Sequence, residues 1–154
     1  MKSLEEIKQD LETKFPGSSV AIEGTSLIVP KEKWFEIARF LKDHPEYSLD
    51  YLSSVSGVDY KTYLEAVYHL YSVSKPSGLL SVKVRTETQD GRIPSVTPIW
   101  RSAEFQEREA YDLVGIHFEG HPDLRRILMW EGFEFHPLRK DYVQEDPDRP
   151  VEQF

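Results

Sequence analysis

The densest group of charged side chains in the sequence lies between residues 104 and 112. It contains four carboxylates and one guanidinium: Glu104, Glu107, Arg108, Glu109 and Asp112. On a helix, Arg108 has one carboxylate four residues before it and another four residues after it, so it could bridge Glu104 and Asp112. Glu107 and Glu109 cannot flank one bond as an acid and a base, because two residues apart on a helix they point about 200° apart. The pattern favours a solvated helix face with a structural or partner-facing ion pair.

Glu107 differs from the rest of this group because its helix face is largely apolar. The neighbours that helical spacing gives it are Ala103, Ala110, Tyr111 and Val114. A carboxylate in such surroundings is expected to be partly buried. It then needs an arginine, a lysine or a backbone group as a partner.

The segment from His117 to His121 offers two imidazoles around Glu119. Histidines four residues apart suggest a metal site, but nearby glycines and Pro122 break the helix that would align them, and the pattern is not H-E-x-x-H. As a strand, the three polar side chains would share one face, although a loop with exposed polar residues is the more common arrangement. The spacing of Gly115 and Gly120 is that of a P-loop, but the lysine and hydroxyl that bind phosphate and magnesium are missing. We expect neither a catalytic nor a metal site here.

Two basic pairs follow, Arg125-Arg126 and Arg139-Lys140. They could bind an anion, or they could pair with acidic groups of this chain or of a partner. The net charge is −8 and the pI is near 5.1. We therefore expect ion pairing, and we expect no nucleic-acid partner, because nucleic-acid binding depends on clustered basic residues.

The composition excludes several classes of protein. The sequence contains no cysteine, so disulfides, thiolate zinc sites, cysteine nucleophiles and cysteine-ligated iron–sulfur clusters are ruled out. Its apolar runs are far shorter than the roughly 20 residues that cross a bilayer, and residues 1–6 lack the apolar core of a signal peptide. We expect a cytosolic chain that meets a membrane only through partners.

Two helices are predicted in the first third of the chain. Ser3 and Glu6 form a capping-box pattern ahead of an apolar stripe that ends at Pro16-Gly17. Residues 19–23 and 26–30 alternate as short strands should. A second helix is predicted over 31–43, and its buried stripe consists of Trp34, Ile37, Ala38 and Leu41.

A β-hairpin is predicted from residues 63–73 and 79–87, joined by a turn at 74–78. One register buries the apolar side chains of both strands together, and a slip by one residue would scatter them. It pairs Leu70 with Leu80, Tyr68 with Val82 and Ala66 with Val84. The same register places Glu65 opposite Arg85 on the outer face, as a modest cross-strand ion pair.

A third helix is predicted over about 99–114, with Gly115 as its C-terminal stop. Beyond it the apolar periodicity fades, and residues 141–154 carry a net charge of −4 from five acids and one arginine. We predict an α+β fold, a two-layer domain of helices on a mixed β-sheet over residues 1–115. Residues 116–154 are predicted to form an extended arm that contacts partner subunits, because ordering such an arm costs roughly 1–2 kcal/mol per residue.

Several of these segments closely resemble the C-type (30 kDa) subunit family of proton-pumping NADH:quinone oxidoreductase, respiratory complex I. The resemblance is carried by EREAYDLV at 107–114, GHPDL at 120–124, RRIL at 125–128 and HPLRKDY at 136–142, with weaker matches at 93–96 and 99–100. Its specific part covers about residues 93–142. The earlier residues agree with the family only in their pattern.

The resemblance implies a subunit of the peripheral arm of the complex, on the cytoplasmic face of a bacterial membrane. Such a subunit carries no flavin and no iron–sulfur cluster, since FMN and the clusters lie on partner subunits. Its neighbours would be the D-type subunit that holds the quinone site and the B-type subunit with the terminal cluster. The charged group at 104–112, together with His121 and the two basic pairs, would then serve as structural or interface ion pairs.

Two alternatives remain open. The same family has relatives in ferredoxin- or F420-dependent quinone reductases and in membrane-bound hydrogenases, so the electron donor is not determined. The second alternative is a small free-standing hydrolase that uses Glu107 and His121. It requires both side chains within hydrogen-bond reach in one pocket.

Overall fold

A computed structural model describes residues 2–75 and 78–144 of the chain. Within these ranges three α-helices pack on a mixed five-stranded β-sheet, and two short strands form a second, parallel sheet. In chain order, the elements are α1 (Leu4–Lys14), β1 (Ala21–Glu23), β2 (Ser26–Val29), α2 (Lys31–Asp43), β3 (Tyr51–Asp59), β4 (Leu64–Tyr71), β5 (Leu80–Thr86), β6 (Arg92–Pro94), α3 (Ala103–Val114) and β7 (His117–Glu119). The predicted α+β class is confirmed.

The larger sheet has the strand order β1-β2-β5-β4-β3, and only β2 and β5 run parallel. The core lies between this sheet and the helices. Trp34 of α2 contacts Tyr68 of β4, with ring centroids 4.6 Å apart. α3 lies so close to β3 that a Cβ added to Gly57 would be 3.1 Å from Val114 Cγ2. Since Gly57 stands opposite Ala66, two residues from Tyr68, both helices cover the same face.

Both predicted N-terminal helices are confirmed. α1 begins with a capping box in which the Ser3 hydroxyl accepts the Glu6 N–H at 3.3 Å and the Glu6 carboxylate accepts the Ser3 N–H at 2.8 Å. Ile7 and Leu11 of its apolar stripe are fully buried. α2 occupies the predicted range, and its predicted stripe is buried in full. Local periodicity therefore determines both elements, and capping chemistry also determines the start of α1.

The predicted hairpin register is also confirmed, with each of the three apolar pairs in place; residues 76 and 77 of its turn lie outside the described residues. Arg85 Nε lies 2.7 Å from Glu65 Oε2, as expected for a cross-strand pair. Glu65, however, is fully buried, and Arg85 also contacts Glu23 at 2.8 Å. The pair therefore belongs to a larger ionic network and is not an isolated surface contact.

The strands β3, β6 and β7 have no counterpart in the sequence prediction. The register of β3 shifts between Leu52 and Ser54. Because of this bulge, the buried residues Leu52, Val55 and Asp59 do not follow a period of two, and the strand signal is hidden. β6 and β7 are three residues long each and pair with one another from distant parts of the chain. The interpretation of 117–119 as loop is therefore wrong.

The third helix starts at Ala103, four residues later than predicted, and ends at Val114 as predicted. Residues before it form turns, in which the N–H groups of Ile99 and Trp100 both donate to the carbonyl of Val96. The Trp100 indole also donates to a carbonyl near the start of β3, at 3.0 Å. These contacts hold residues 96–100 in a turn, where the sequence predicted the first turn of the helix.

Gly115 ends α3 in the left-handed conformation, with φ +82°, and a Cβ there would lie 2.6 Å from His136 Cδ2 and 2.9 Å from Arg139 Nη2. Gly115→Ala is expected to destabilise the chain by about 2–4 kcal/mol, since the backbone term costs roughly 1–2 kcal/mol and the contacts add to it. Chemical denaturation measures the change. Gly17→Ala is the matched control, because Gly17 has φ +83° with open space around it. Equal losses in the two variants would contradict a role for the contacts.

Candidate functional site

The segment after α3 begins inside the packed body. Ile116 and Phe118 are buried, and Phe118 of β7 stands opposite Ile93 of β6. Residues 120–144 then form turns and bends without a helix or strand, and we call this segment the arm. The predicted division at 115/116 places β7 in the arm, whereas its packing joins it to the body. Residues 145–154 of the predicted arm lie outside the described residues.

Asp112 joins α3 to the arm and is fully buried. Its Oδ2 accepts the backbone N–H groups of Ile127, Leu128 and Met129 at 3.0, 2.7 and 2.9 Å, and its Oδ1 accepts Arg126 Nη1 at 2.7 Å. Burial by itself raises the pKa of the Asp112 carboxyl. The four hydrogen bonds outweigh burial and hold that pKa below its usual value. The carboxylate is therefore charged and bound within the protein.

The predicted bridge from Arg108 to Glu104 and Asp112 is wrong. Arg108 is only 7% exposed, and it donates to the backbone carbonyls of Arg125 at 3.1 Å and Arg126 at 3.0 Å. Among the described residues, no carboxylate lies within 4 Å of its guanidinium nitrogens. The arm folds over this face of α3, so its carbonyls reach Arg108 and its N–H groups reach Asp112. Spacing along the helix could not show either partner.

Glu107 is buried, as its apolar helix face predicts, and has the backbone partner that such a group needs. One carboxylate oxygen accepts the N–H of Val96 at 2.8 Å, and the other accepts the hydroxyl of Ser95 at 2.6 Å. Burial raises the pKa of Glu107 to about 7, against the effect of these two bonds. Glu109, two residues away, is exposed. The two carboxylates do not share a site.

His121 ties the start of the arm to α3. Its Nε2 lies 2.8 Å from the carbonyl of Glu104, and its Nδ1 accepts the N–H of Asp123 at 3.0 Å. These partners require a neutral imidazole that carries its proton on Nε2. Backbone groups therefore occupy both ring nitrogens of His121. The Ser95 hydroxyl and the Val96 N–H likewise occupy the two carboxylate oxygens of Glu107. This arrangement contradicts the hydrolase alternative.

The described residues contain no group of three or more His, Cys, Asp or Glu side chains that could hold a metal ion. A polar cleft of about 600 Å³ lies between the β5–β6 turn and the arm. His136, Arg139 and Tyr142 are among its lining residues, whereas Glu107 and His121 are not. The cleft therefore does not assemble the candidate catalytic groups.

One arginine of each basic pair fixes the arm to the body. Arg125 contacts Asp123 at 2.9 Å on the surface, while Arg126 binds the buried Asp112. Arg139 donates to the carbonyls of Val114 and Thr88, both at 2.7 Å. These are contacts within the chain and do not test the use of the same residues at a partner interface.

Asp59, at the end of β3, is a functional residue that the sequence prediction missed. It accepts the backbone N–H groups of Lys61 at 2.7 Å and Lys140 at 2.8 Å. Burial raises its pKa, but these bonds and the nearby Arg139 hold the pKa of Asp59 below its usual value. Lys140 is 81 residues away in sequence, so no local signal could have identified the contact.

The arm directs its large apolar side chains away from the body. The described chain exposes eleven large hydrophobic residues, and six of them lie in one stretch of the arm, residues 127–143. We call these six the apolar arm surface: Ile127 (37% exposed), Leu128 (59%), Trp130 (67%), Phe135 (59%), Leu138 (60%) and Val143 (78%). Such a concentration of apolar surface on a segment held by polar contacts marks a site of interaction with another macromolecule.

No helix in the described part of the chain is long and apolar enough to cross a membrane.

Comparison with known proteins identifies the family. The family model described as "Respiratory-chain NADH dehydrogenase, 30 Kd subunit" matches residues 27–148. The second C-type subunit of NADH-quinone oxidoreductase from Rhizobium meliloti (strain 1021) is 50% identical over 117 residues, which are 74% of this chain and 63% of that protein. The C-type subunit from Roseiflexus sp. (strain RS-1) is 40% identical over 90% of this chain and 80% of its own length. The chain thus spans less than two thirds of the Rhizobium relative.

Solved structures agree with this. A trypsin-resistant fragment of Nqo5 aligns with a TM-score of 0.61 and 34% identity, over 80% of this chain and all of that one. A chain of the membrane-bound sulfane sulfur reductase, an archaeal respiratory membrane complex, aligns with a TM-score of 0.70 and 26% identity, over 97% of this chain and all of that one. The sequence segments at 107–142, the α+β fold and these matches agree, and the chain belongs to the family of the 30 kDa subunit of respiratory-chain NADH dehydrogenase.

Proposed function

We propose that this chain is a peripheral-arm subunit of a proton-translocating NADH:quinone oxidoreductase and helps to build its quinone-reducing module. Family membership and the names of its relatives support this assignment. In this proposal the chain carries no redox centre, and FMN and the iron–sulfur clusters lie on partner subunits. The sequence has no cysteine, so it has no thiolate with which to ligate a cluster.

The apolar arm surface is the observation that carries the proposal. Asp59 and Asp112 accept backbone N–H groups of the arm, and the side chain of Arg139 in the arm donates to the Val114 carbonyl, so the body determines the course of the arm. The six side chains of the apolar arm surface are nevertheless exposed. Full burial of each of these side chains against a partner contributes roughly 1.5–3 kcal/mol. An interface is the arrangement that recovers this energy. A catalytic pocket would instead require convergent polar groups, whereas Glu107 and His121 each bind other groups of the chain.

The finer assignment concerns the neighbours. We propose that the arm contacts the quinone-site subunit (49 kDa, D type) and the terminal iron–sulfur subunit (B type). The chain would then lie on the cytoplasmic face of the membrane and reach it only through the complex. Glu104 and Glu109 of α3, and Arg125 and Lys140 of the arm, are exposed or half-buried, so they could pair with charges of a partner.

The likeness to a chain of the sulfane sulfur reductase complex favours one alternative, an equivalent subunit of a related membrane-bound redox complex. Ferredoxin- or F420-dependent quinone reductases and membrane-bound hydrogenases belong to the same group of possibilities. They differ from the first proposal in the electron donor, which other subunits bind.

Affinity purification of the full chain from solubilised membranes of its own organism tests the proposal and the alternative together. We expect NADH-binding flavin and cluster subunits to co-purify with it, together with NADH:quinone activity that the chain lacks when it is purified alone. Co-purification of a hydrogenase or ferredoxin-binding subunit would favour the alternative. Recovery of the chain without any redox subunit, or a flavin or cluster on the chain alone, would contradict the proposal.

A further inference from the structure

The arm contains an anion-binding nest. Three successive N–H groups, those of Ile127, Leu128 and Met129, converge on one oxygen of the Asp112 carboxylate at 2.7–3.0 Å. The Arg126 guanidinium binds the other oxygen at 2.7 Å. Converging backbone amides with a nearby cation form the concavity that proteins use to hold phosphate and other anions. In this chain, α3 provides the anion.

We propose that Asp112 is a positioning residue, whose carboxylate occupies this nest and sets the apolar arm surface outward before any partner binds. The use of that surface for docking rests on the function proposed above. The contact between Asp112 and the nest does not depend on that proposed function, because both lie within this chain.

Burial of apolar side chains does not hold this stretch of the arm. Ile127 is 37% exposed and Leu128 is 59% exposed, so their contacts with the core are few. The stretch is held by its backbone, through hydrogen bonds to a charged and fully buried carboxylate, and such bonds are about twice as strong as neutral ones. Loss of the carboxylate therefore leaves three amides without their partner, and the Arg126 guanidinium keeps only the backbone carbonyl of residue 112, at 3.0 Å.

The nest connects directly to the most exposed aromatic side chain of the arm. The Arg126 guanidinium lies 5.4 Å from the ring centroid of Phe133, and that ring is 4.6 Å from the ring of Trp130. Asp112 thereby holds Arg126 against Phe133, and Phe133 in turn packs against Trp130. Preorganisation of this kind favours association, because the arm is already ordered and the partner does not have to offset the entropy of ordering it.

Amide hydrogen exchange of the full chain, with Asp112 replaced by alanine, tests the nest. We expect the amides of residues 127–129 to exchange at least about tenfold faster, while those of β4 change much less. Acetate should restore part of the protection in Asp112→Ala, because it can enter the vacated nest, whereas chloride at equal ionic strength should not. Asp123→Asn is the control, since it removes an exposed carboxylate of the same arm that pairs with Arg125.

Asp112→Asn serves as the second variant if the alanine variant does not fold, because it keeps the size of the side chain while it removes the charge and replaces one acceptor oxygen by a donor NH2 group. Unchanged protection at 127–129 in the folded variants, or equal loss of protection in β4, would overturn the nest. Loss of protection together with reduced co-purification of partner subunits supports the full proposal. Loss of protection with normal co-purification would overturn the positioning role. Glutamate substitutions of Trp130 and Leu138 then decide separately whether docking uses the apolar arm surface.

Discussion

Replacing Trp130 and Leu138 together by glutamate is expected to weaken the association of the chain with its complex by about 1,000-fold or more. Aromatic and aliphatic anchors at the centre of an interface commonly contribute 2 kcal/mol or more each, and a buried unpaired carboxylate adds a desolvation penalty. Co-purification of the partner subunits from cells that express only the variant measures the effect. NADH:quinone activity of the membranes should fall in parallel.

The fold of the chain should tolerate these two changes. Trp130 is 67% exposed and Leu138 is 60% exposed, and the backbone of Leu138 is held by the Leu113 carbonyl at 2.9 Å. The thermal unfolding of the purified variant should therefore match that of the parent chain. A variant that co-purifies at the parental level would show that the apolar arm surface is not the docking site.

A matched pair of substitutions controls for exposed hydrophobicity as such. Val73 and Leu79 are 64% and 52% exposed and flank the β4–β5 turn. That turn lies at the end of the sheet opposite Asp59 and the arm, because β3 and β4 run antiparallel. Val73→Glu with Leu79→Glu should leave association unchanged. An equal loss in this pair would mean that any added charge disturbs the complex.

The second large effect is expected in the pH dependence of stability, from Glu107→Gln. In the parent chain the pKa of Glu107 is raised from 4.5 to about 7 by burial, so the folded state binds a proton more tightly than the unfolded state. Its contribution to stability is therefore fully present below pH about 4.5 and is lost as the pH rises through about 7. The total change is up to about 3 kcal/mol, from roughly 1.4 kcal/mol per pKa unit.

Glutamine remains neutral and can keep both bonds, with its oxygen accepting the Val96 N–H and its amide donating to the Ser95 hydroxyl. We therefore expect Glu107→Gln to equal the parent chain near pH 4 and to exceed it by up to about 3 kcal/mol near pH 8.5. Urea denaturation across this range measures the difference. Glu109→Gln is the control on the same helix, because Glu109 is exposed. A constant difference between Glu107→Gln and the parent at all pH values would show that Glu107 is already charged in the folded state.

How far the site could be predicted depends on the distance over which each contact acts. The burial of Glu107 followed from four apolar neighbours on its own helix face. The partners of Arg108 could not be predicted in this way. Helical spacing offered two carboxylates, whereas the actual partners are two carbonyls of the arm, 17 and 18 residues away. Asp59 gave no signal, since its bulged strand hides the alternation and its arm contact lies 81 residues away.

The sequence by itself determined α1, α2, the end of α3 and the register of the β4–β5 hairpin, because apolar periodicity, capping and the pairing of two apolar faces act over a few residues. It also identified the family, through segments at defined spacing in residues 107–142. Only the tertiary structure decided the course of the arm. Backbone amides carry no side-chain identity, so residue types reveal neither the nest that Asp112 fills nor the exposure of Trp130 and Leu138. They depend on the arm folding back over α3.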